Sequence, residues 1–126
     1  MNDNSKFKNN LILAGVVLTL GIGATLAYPN NKAQTNTAMD VFAKCVAAAG
    51  AVMYGADWCP HCQNEKNAFG ESFKFINYVE CPDNPNLCLQ KGIKGYPTWI
   101  FGDGSALVGE QGLERLSQAT ACPLNQ

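Results

Sequence analysis

The chain has 126 residues, 47% of them hydrophobic and 15% charged, and its nine basic and ten acidic residues give a formal net charge of −1. This size and composition fit one small globular domain with an added targeting segment. A near-neutral balance without a Lys/Arg run excludes the basic surface that nucleic-acid binding requires, so no nucleic-acid partner is expected.

The first predicted element is a hydrophobic segment near the N-terminus. Lys6 and Lys8 precede residues 11–27, which carry no charged side chain. A run of this length is at the short end of what spans a bilayer, roughly 17 to 25 residues, and is also typical of an export signal. Residues 1–27 are therefore predicted to be a signal peptide or a membrane anchor, with everything after Tyr28 exported to the periplasm or an equivalent lumen. A buried core helix is the alternative, but such a helix normally has a polar face.

The next stretch connects this segment to the folded part. Residues 28–36 are polar and are predicted to be a linker to a domain of residues 37–126. Thr37 is predicted to cap the first helix, with Asp40 three residues later as its partner. Apolar residues then recur at helical spacing until Gly50 stops the helix.

A strand and a helix are predicted on either side of a short loop that leads to the sequence CPHC. Residues 51–54 form a short apolar run that is typical of a buried strand. Pro60 suits the first turn of a helix that runs to about Phe69 and ends at Gly70. The two CPHC cysteines are thus predicted to lie at the start of a helix that follows a strand.

Strands and helices continue to alternate in the second half of the domain. This alternation predicts an α/β architecture, in which a parallel sheet is covered on both faces and closed by an antiparallel hairpin. The predicted elements are a strand of residues 75–79, a turn and short helix over residues 81–92 with Asn84 as the cap, a hairpin of residues 98–101 and 106–108, and a last helix with Leu113 and Leu116 on its apolar stripe.

The cysteine content indicates an oxidising compartment. Six cysteines are many for a chain this short, and an even number suits pairs that persist outside the cytosol. Cys59 and Cys62 with Cys81 and Cys88 could also supply four thiolates to a zinc module. Six residues separate the second pair, where zinc ribbons usually have two, so no metal is expected.

Two motifs far apart in the sequence point to a family. WCPHC after the first strand and GYPT before the third make residues 37–121 resemble a thioredoxin fold, a central mixed sheet flanked by helices. CPHC is similar to the active-site motif of DsbA-type disulfide oxidases. The stretches AVMYGADWCPHC, YVEC and GYPTWI also resemble the thioredoxin-like domain linked to vitamin K epoxide reductase homologues. The resemblance implies a protein thiol-disulfide oxidoreductase, an enzyme whose redox group is its own disulfide and which needs no cofactor.

Cys59 and Cys62 are the predicted catalytic pair. The unpaired N–H groups and dipole at a helix start favour a thiolate at Cys59, and Cys62, one turn later, would resolve a mixed disulfide. His61, when charged, adds a cation near the Cys59 sulfur. Pro60 and Trp58 are further tuning residues: Trp58 is expected to pack beside the disulfide, unless it is an ordinary core residue.

The resemblance also assigns residues outside the CPHC motif. Pro97 matches the cis-proline that lies against the CxxC, so the Tyr96 backbone is expected to pair with an extended substrate strand; a plain loop proline is the alternative. Thioredoxins that act as reductants have a buried acid six residues before the first cysteine, where this chain has Met53. Asp57, two residues before Cys59, is expected to be solvated.

The remaining four cysteines are candidates for structural disulfides. Cys81 and Cys88 bracket a turn-rich segment, and Cys45 and Cys122 could form the other pair. The sequence leaves this connectivity open, and a second redox relay through Cys81 and Cys88 is an alternative.

Together these features predict an extracytoplasmic thiol-disulfide oxidoreductase that forms disulfides in exported, cysteine-containing client proteins. The resemblance implies reoxidation by a membrane quinone reductase similar to vitamin K epoxide reductase. A disulfide reductase or isomerase of the same fold is the nearest alternative. A zinc module, or a binding domain whose CxxC has no catalytic role, would be a different class of protein.

Overall fold

The computed structural model describes residues 31–124, so the predicted signal or anchor of residues 11–27 lies outside the described residues. Within residues 31–124, no helix is long and apolar enough to cross a bilayer. The elements are α1 (Asn31–Ala48), β1 (Val52–Gly55), α2 (Pro60–Phe69), a 3-10 helix (Gly70–Phe75), β2 (Asn77–Glu80), α3 (Pro85–Gln90), β3 (Thr98–Ile100), β4 (Ala106–Val108) and α4 (Gly112–Thr120).

The four strands form one mixed sheet in the order β2-β1-β3-β4. β1 and β2 are parallel, whereas β3 is antiparallel to both β1 and β4. This is the predicted mixed sheet closed by an antiparallel hairpin. Because the carboxyl ends of β1 and β2 meet at one edge of the sheet, the segments that follow them, CPHC and Cys81, begin side by side.

The first helix differs from the prediction at its start. α1 begins at Asn31, so residues 31–36 of the predicted linker are helical. No glycine or proline interrupts the sequence between Asn31 and Ala48, which lets the helix extend back past Thr37. The predicted capping partner, Asp40, instead accepts a hydrogen bond from the Ser72 hydroxyl at 2.6 Å. Because the helix already runs through Thr37, the prediction that this residue caps its start is wrong.

The second strand begins two residues later than predicted, at Asn77. The preceding residues form the 3-10 helix, and the Ile76 N–H donates to the Phe73 carbonyl at 2.9 Å. The Phe73 ring packs edge-on against Phe69 and Tyr78, with ring centroids 6.1 and 5.7 Å away. Phe75, the first residue of the predicted strand, thus ends the 3-10 helix, whereas Tyr78 lies in the strand.

The short helix α3 does begin after Asn84, but this side chain does not cap it. The Asn84 side-chain amide instead donates back to the Glu80 carbonyl at 3.0 Å. That bond closes the turn between β2 and α3.

The sheet is covered on both faces. The larger core lies between the sheet and helices α1, α2 and α4, and Trp99 at its centre packs against Phe69 with ring centroids 6.4 Å apart. The smaller core, on the opposite face, is built on Tyr54, Cys81 and Cys88. The buried side chains of the larger core include Phe42, Val46, Met53, Cys62, Trp99 and Leu116.

Two disulfides stabilise this arrangement. Cys45 is bonded to Cys122 across 77 positions, which joins α1 to the residues after α4. Cys81 is bonded to Cys88 across seven positions, between β2 and α3. These are the two pairs put forward from the sequence. Because Cys81 and Cys88 are bonded to each other, they do not supply the thiolates that a zinc module would need.

Candidate active site

Cys59 is held at the start of α2. Its backbone is extended (φ −79°, ψ 120°), Pro60 follows in the first turn, and the Gln63 N–H donates to the Cys59 carbonyl at 3.0 Å. The unpaired N–H groups of the first helical turn and the positive end of the helix dipole stabilise negative charge at this position. Cys59 is largely buried, with 7% of its surface exposed.

Cys62 lies one turn further along α2 and is completely buried. Burial raises the pKa of the Cys62 thiol to about 11, and the neighbouring Cys59 thiol adds to this effect. A backbone hydrogen bond with Ala56 and the charge of Lys66 oppose it. At neutral pH Cys62 is therefore protonated, and it must lose its proton before it can attack a disulfide.

The loop before β3 covers Cys59. The Cys59 Sγ lies 3.7 Å from the carbonyl oxygen of Tyr96, and the Tyr96–Pro97 peptide bond is cis. Pro97 is buried, and its carbonyl accepts a hydrogen bond from the Gly109 N–H at 2.7 Å. The cis-proline therefore occurs where the resemblance placed it, with Tyr96 directly against the more exposed cysteine.

Two exposed side chains flank this contact. Trp58 is 69% exposed, so it is not a core residue, and its ring lies edge-on to Tyr96 with centroids 6.1 Å apart. The His61 Nδ1 lies 3.1 Å from Glu110 Oε2, which also accepts a hydrogen bond from Asn64 at 3.1 Å. These two partners hold the pKa of Glu110 below its ordinary value.

The thioredoxin family model matches residues 33–121 of this chain. The chain belongs to the thioredoxin family. Among solved structures, a point mutant of thioredoxin from Halobacterium salinarum NRC-1 matches with a TM-score of 0.50 and 24% identity, over 60% of this chain and 74% of that one. That likeness concerns the fold alone.

Curated relatives agree with this assignment. Thiol-disulfide oxidoreductase LTO1 from Arabidopsis thaliana is 43% identical over 93 residues, which are 67% of this chain and 24% of that protein. Protein disulfide isomerase-like 2-2 from Oryza sativa subsp. japonica is 38% identical over 55 residues, which are 37% of this chain and 15% of that protein. This chain thus spans a quarter or less of these two relatives. The expected class, a thioredoxin-fold thiol-disulfide oxidoreductase, is confirmed.

A buried carboxyl group, which was not predicted as a site residue, holds the loop on one side of this thioredoxin-family site. Glu65 is 1% exposed, and its two carboxylate oxygens accept hydrogen bonds from the backbone N–H groups of Gln111 at 2.7 Å and Gly112 at 3.1 Å. Burial raises the pKa of Glu65, and the two N–H groups oppose that shift. Through these bonds the loop between β4 and α4, which carries Glu110, is held against the helix of the cysteines.

We use the name Tyr78 cluster for four polar residues near Cys62, on the side of α2 away from Glu110: Asp57, Lys66, Tyr78 and Glu80. The Tyr78 hydroxyl donates to Glu80 Oε2, and Glu80 Oε1 accepts from the Asp57 N–H at 3.0 Å. The Lys66 Nζ lies 2.5 Å from Asp57 Oδ1 and 3.9 Å from the Tyr78 ring centroid. Asp57 is exposed as expected, but its pairing with Lys66, which lowers its pKa, was not foreseen.

Gly55 allows this cluster to approach the buried thiol. A Cβ atom on Gly55 would lie 2.8 Å from the Cys62 sulfur and 3.4 Å from the Tyr78 hydroxyl oxygen. The two distances together limit the separation of that sulfur and that oxygen to about 6 Å. The neighbouring Met53, paired with Tyr78 in the sheet register, is fully buried and supplies no acid.

Proposed function

We propose that this thioredoxin-family domain is an extracytoplasmic thiol-disulfide oxidoreductase that uses the CPHC pair to form disulfides in exported, cysteine-containing proteins. The observation that carries the proposal is the placement of the two thiols. Cys59 is partly accessible at a helix start beside the Tyr96 carbonyl, and Cys62 is fully buried one turn behind it. A client can therefore reach one sulfur and not the other.

In the proposed reaction, a client thiolate attacks the Cys59 sulfur of the oxidised pair. The Cys59–Cys62 bond breaks, a mixed disulfide forms between Cys59 and the client, and Cys62 leaves with the electron pair of the broken bond. A second client thiolate then attacks the client sulfur of the mixed disulfide and releases Cys59 as a thiolate. The client gains one disulfide, and its two electrons remain on the CPHC pair.

The surroundings of Cys59 favour this direction. The helix dipole at the start of α2 stabilises a thiolate, and protonated His61 would add a positive charge nearby. Both effects stabilise the reduced pair, which makes the disulfide a better oxidant. Tyr96, beside the cis-proline, is the proposed backbone partner for an extended client segment.

The compartment and the oxidising partner are also part of the proposal. The disulfides Cys45–Cys122 and Cys81–Cys88 suit an oxidising compartment, and the apolar residues 11–27 suit export with or without anchoring. The likeness to domains linked to vitamin K epoxide reductase homologues supports a membrane quinone reductase as the electron acceptor. Any quinone would belong to that partner.

The first test is the equilibrium between the full chain and glutathione redox buffers, followed by alkylation and mass spectrometry of the Cys59–Cys62 peptide. We expect a reduction potential well above that of glutathione, towards the roughly −120 mV of DsbA. A potential near the roughly −270 mV of thioredoxin would instead make the chain a reductase or isomerase.

The second test traps clients. Cys62→Ala in the full chain should accumulate clients as mixed disulfides on Cys59 that dithiothreitol releases. The matched control is the same chain with Cys59→Ala added, which should capture none. If both variants yield the same amount of adduct, Cys59 is not the client-binding thiol.

A further inference from the structure

The buried thiol of Cys62 needs a proton acceptor, and its apolar neighbours offer none. To close the CPHC disulfide, Cys62 must attack the Cys59 sulfur as a thiolate. The Cys62 side chain is completely buried. Met53 of β1, which belongs to the same core, is also fully buried and has no ionisable group. Among the described residues, the polar atoms that approach this thiol from the sheet belong to the Tyr78 cluster.

We propose that Glu80, acting through the Tyr78 hydroxyl, accepts the proton that Cys62 gives up when it attacks Cys59. This inference rests on the proposed function, because it assigns the proton acceptor for the same pair of cysteines. Tyr78 and Glu80 are proton-relay residues here, whereas the two cysteines hold the reacting sulfur atoms.

The geometry supports a relay of this kind. The Cys62 sulfur and the Tyr78 hydroxyl oxygen both lie against Gly55, at most about 6 Å apart, a distance that one intervening water molecule can bridge. From the hydroxyl the path continues directly, because Tyr78 already donates its proton to Glu80 Oε2. Glu80 is held in place at its other oxygen by the Asp57 N–H at 3.0 Å.

The charged groups around the relay favour transfer of the proton away from Cys62. Lys66, over the Tyr78 ring, lowers the pKa of Cys62 and so helps the thiol to ionise. Burial and the carboxylates of Glu80 and Asp57 raise the pKa of Tyr78, so its hydroxyl passes a proton on and does not remain ionised. Among residues 31–124, these groups and Cys59 are the titratable groups that shift the pKa values of Cys62 and Tyr78.

The step balances in protons and electrons. When the reduced pair meets the disulfide of its oxidising partner, the Cys59 thiolate attacks one partner sulfur and a mixed disulfide forms. The partner's own sulfur–sulfur bond breaks, and its other sulfur leaves as a thiolate. The Cys62 proton then moves to the Tyr78 oxygen while the Tyr78 proton moves to the Glu80 carboxylate. The Cys62 sulfur attacks Cys59, the Cys59–Cys62 bond forms, and the partner sulfur leaves as a thiolate with the two electrons. In the reverse step, during client oxidation, the same groups return the proton to Cys62 as it leaves.

The relay can be tested with the reduced full chain and excess oxidised glutathione. Acid quenching and mass spectrometry separate formation of the glutathione adduct on Cys59 from its loss when Cys62 attacks. Glu80→Gln and Tyr78→Phe should each slow the second step by about a hundredfold, the lower range for general acid–base catalysis, and leave adduct formation unchanged. Glu80→Asp, which keeps a carboxylate, should restore part of the rate.

Matched controls are Glu71→Gln, an exposed glutamate of the 3-10 helix, and Tyr54→Phe, a buried tyrosine in the smaller core. Neither should change the second step. The pH profile gives a readout that a purely structural role would not move. In Glu80→Gln the rate should rise about tenfold per pH unit towards the Cys62 pKa of about 11, and the unaltered chain should show a shallower rise.

If Glu80→Gln and Tyr78→Phe match their controls in rate and in pH profile, the relay is wrong. That result would leave the proposed function intact, provided that the adduct still forms on Cys59. Loss of adduct formation in the unaltered chain would instead contradict the proposed function itself.

Discussion

Two closely spaced cysteine pairs begin at the same edge of the sheet, yet only one of them is bonded. Cys59 and Cys62 follow β1 as free thiols, whereas Cys81 and Cys88 follow β2 as a disulfide. The two segments touch, because the Cys81 N–H donates to the Gly55 carbonyl at 2.8 Å. The two pairs differ in their immediate surroundings.

The surroundings differ in polarity, whereas all four cysteines are largely buried. The CPHC pair is bordered by polar and ionisable side chains, with His61 and Glu110 on one side and the Tyr78 cluster on the other. The bonded pair is 2% and 4% exposed and packs on the Tyr54 side of the sheet among apolar residues. A helix start bordered by polar groups suits exchange, and an apolar pocket suits a permanent bond. Spacing along the chain alone does not separate the two roles.

The largest expected effect is on activity. Cys59→Ser should reduce thiol-disulfide exchange with a model dithiol peptide to the uncatalysed rate, because it removes the accessible sulfur. The double variant Cys81→Ala/Cys88→Ala should remain active under the same assay. If the double variant lost activity while circular dichroism showed it still folded, Cys81 and Cys88 would be a second redox relay and the contrast between the pairs would fail.

The next prediction compares how much the two disulfides contribute to the free energy of unfolding. In the chain-entropy picture, a bond that closes 77 positions contributes about 4.5 kcal/mol and one that closes seven contributes about 2.4 kcal/mol. Urea unfolding of the Cys45→Ala/Cys122→Ala variant should therefore show the greater loss in the free energy of unfolding. An equal or greater loss for the Cys81→Ala/Cys88→Ala variant would show that local packing, and not loop length, dominates.

A third effect separates the two thiols within the CPHC pair. At pH 8, Cys62 with its pKa of about 11 should be about two hundredfold less ionised than an ordinary thiol of pKa about 8.5. Brief treatment of the reduced chain with iodoacetamide should therefore label Cys59 and spare Cys62, and Cys62 labelling should rise with pH up to about 11. Peptide mass spectrometry measures both. Equal labelling at pH 8 would contradict the burial of Cys62.

The smallest expected effect concerns Glu110, which bonds His61 and Asn64 beside the CPHC cysteines. Because His61 and Asn64 lower the pKa of Glu110, its contribution to stability is present above its unfolded pKa and is lost as the pH falls through the lowered value. Glu110→Gln should therefore unfold slightly more easily than the unaltered chain near pH 6 and equally easily in strong acid. Glu71→Gln, which removes the same charge from an exposed glutamate of the 3-10 helix, is the control. A difference that did not depend on pH would point to packing instead of charge.

The sequence patterns predicted most helices and strands of this fold well. The strand before CPHC, the helix from Pro60 to Phe69 and the hairpin around residues 101–105 carry local signals: an apolar run, a helix-starting proline and a glycine-rich turn. The starts of α1 and β2 were harder to place. Asp40 accepts a hydrogen bond from Ser72, 32 positions away, and the residues before β2 form a 3-10 helix in which Phe73 packs on Phe69.

The side chains around the cysteines were harder to predict for the same reason. Glu80 reaches Asp57 because β1 and β2 pair in register, with Gly55 opposite Glu80. Glu110 meets His61 across 49 positions. Neither contact leaves a motif in the sequence. Met53 in place of an acid was the one local sign that a different proton acceptor should be sought.

The long disulfide has a mechanical consequence. Because Cys45 and Cys122 are joined, tension applied at the two chain ends passes through the sulfur–sulfur bond and bypasses the sheet and the CPHC helix. The 77 positions that separate the two cysteines would add about 260 Å of extension once released, so a single-molecule pulling trace should gain that length only after reduction. Tension applied between the two chain ends would therefore leave the redox centre unloaded, whereas a protein bonded to Cys59, inside the closed loop, would pull on that centre directly.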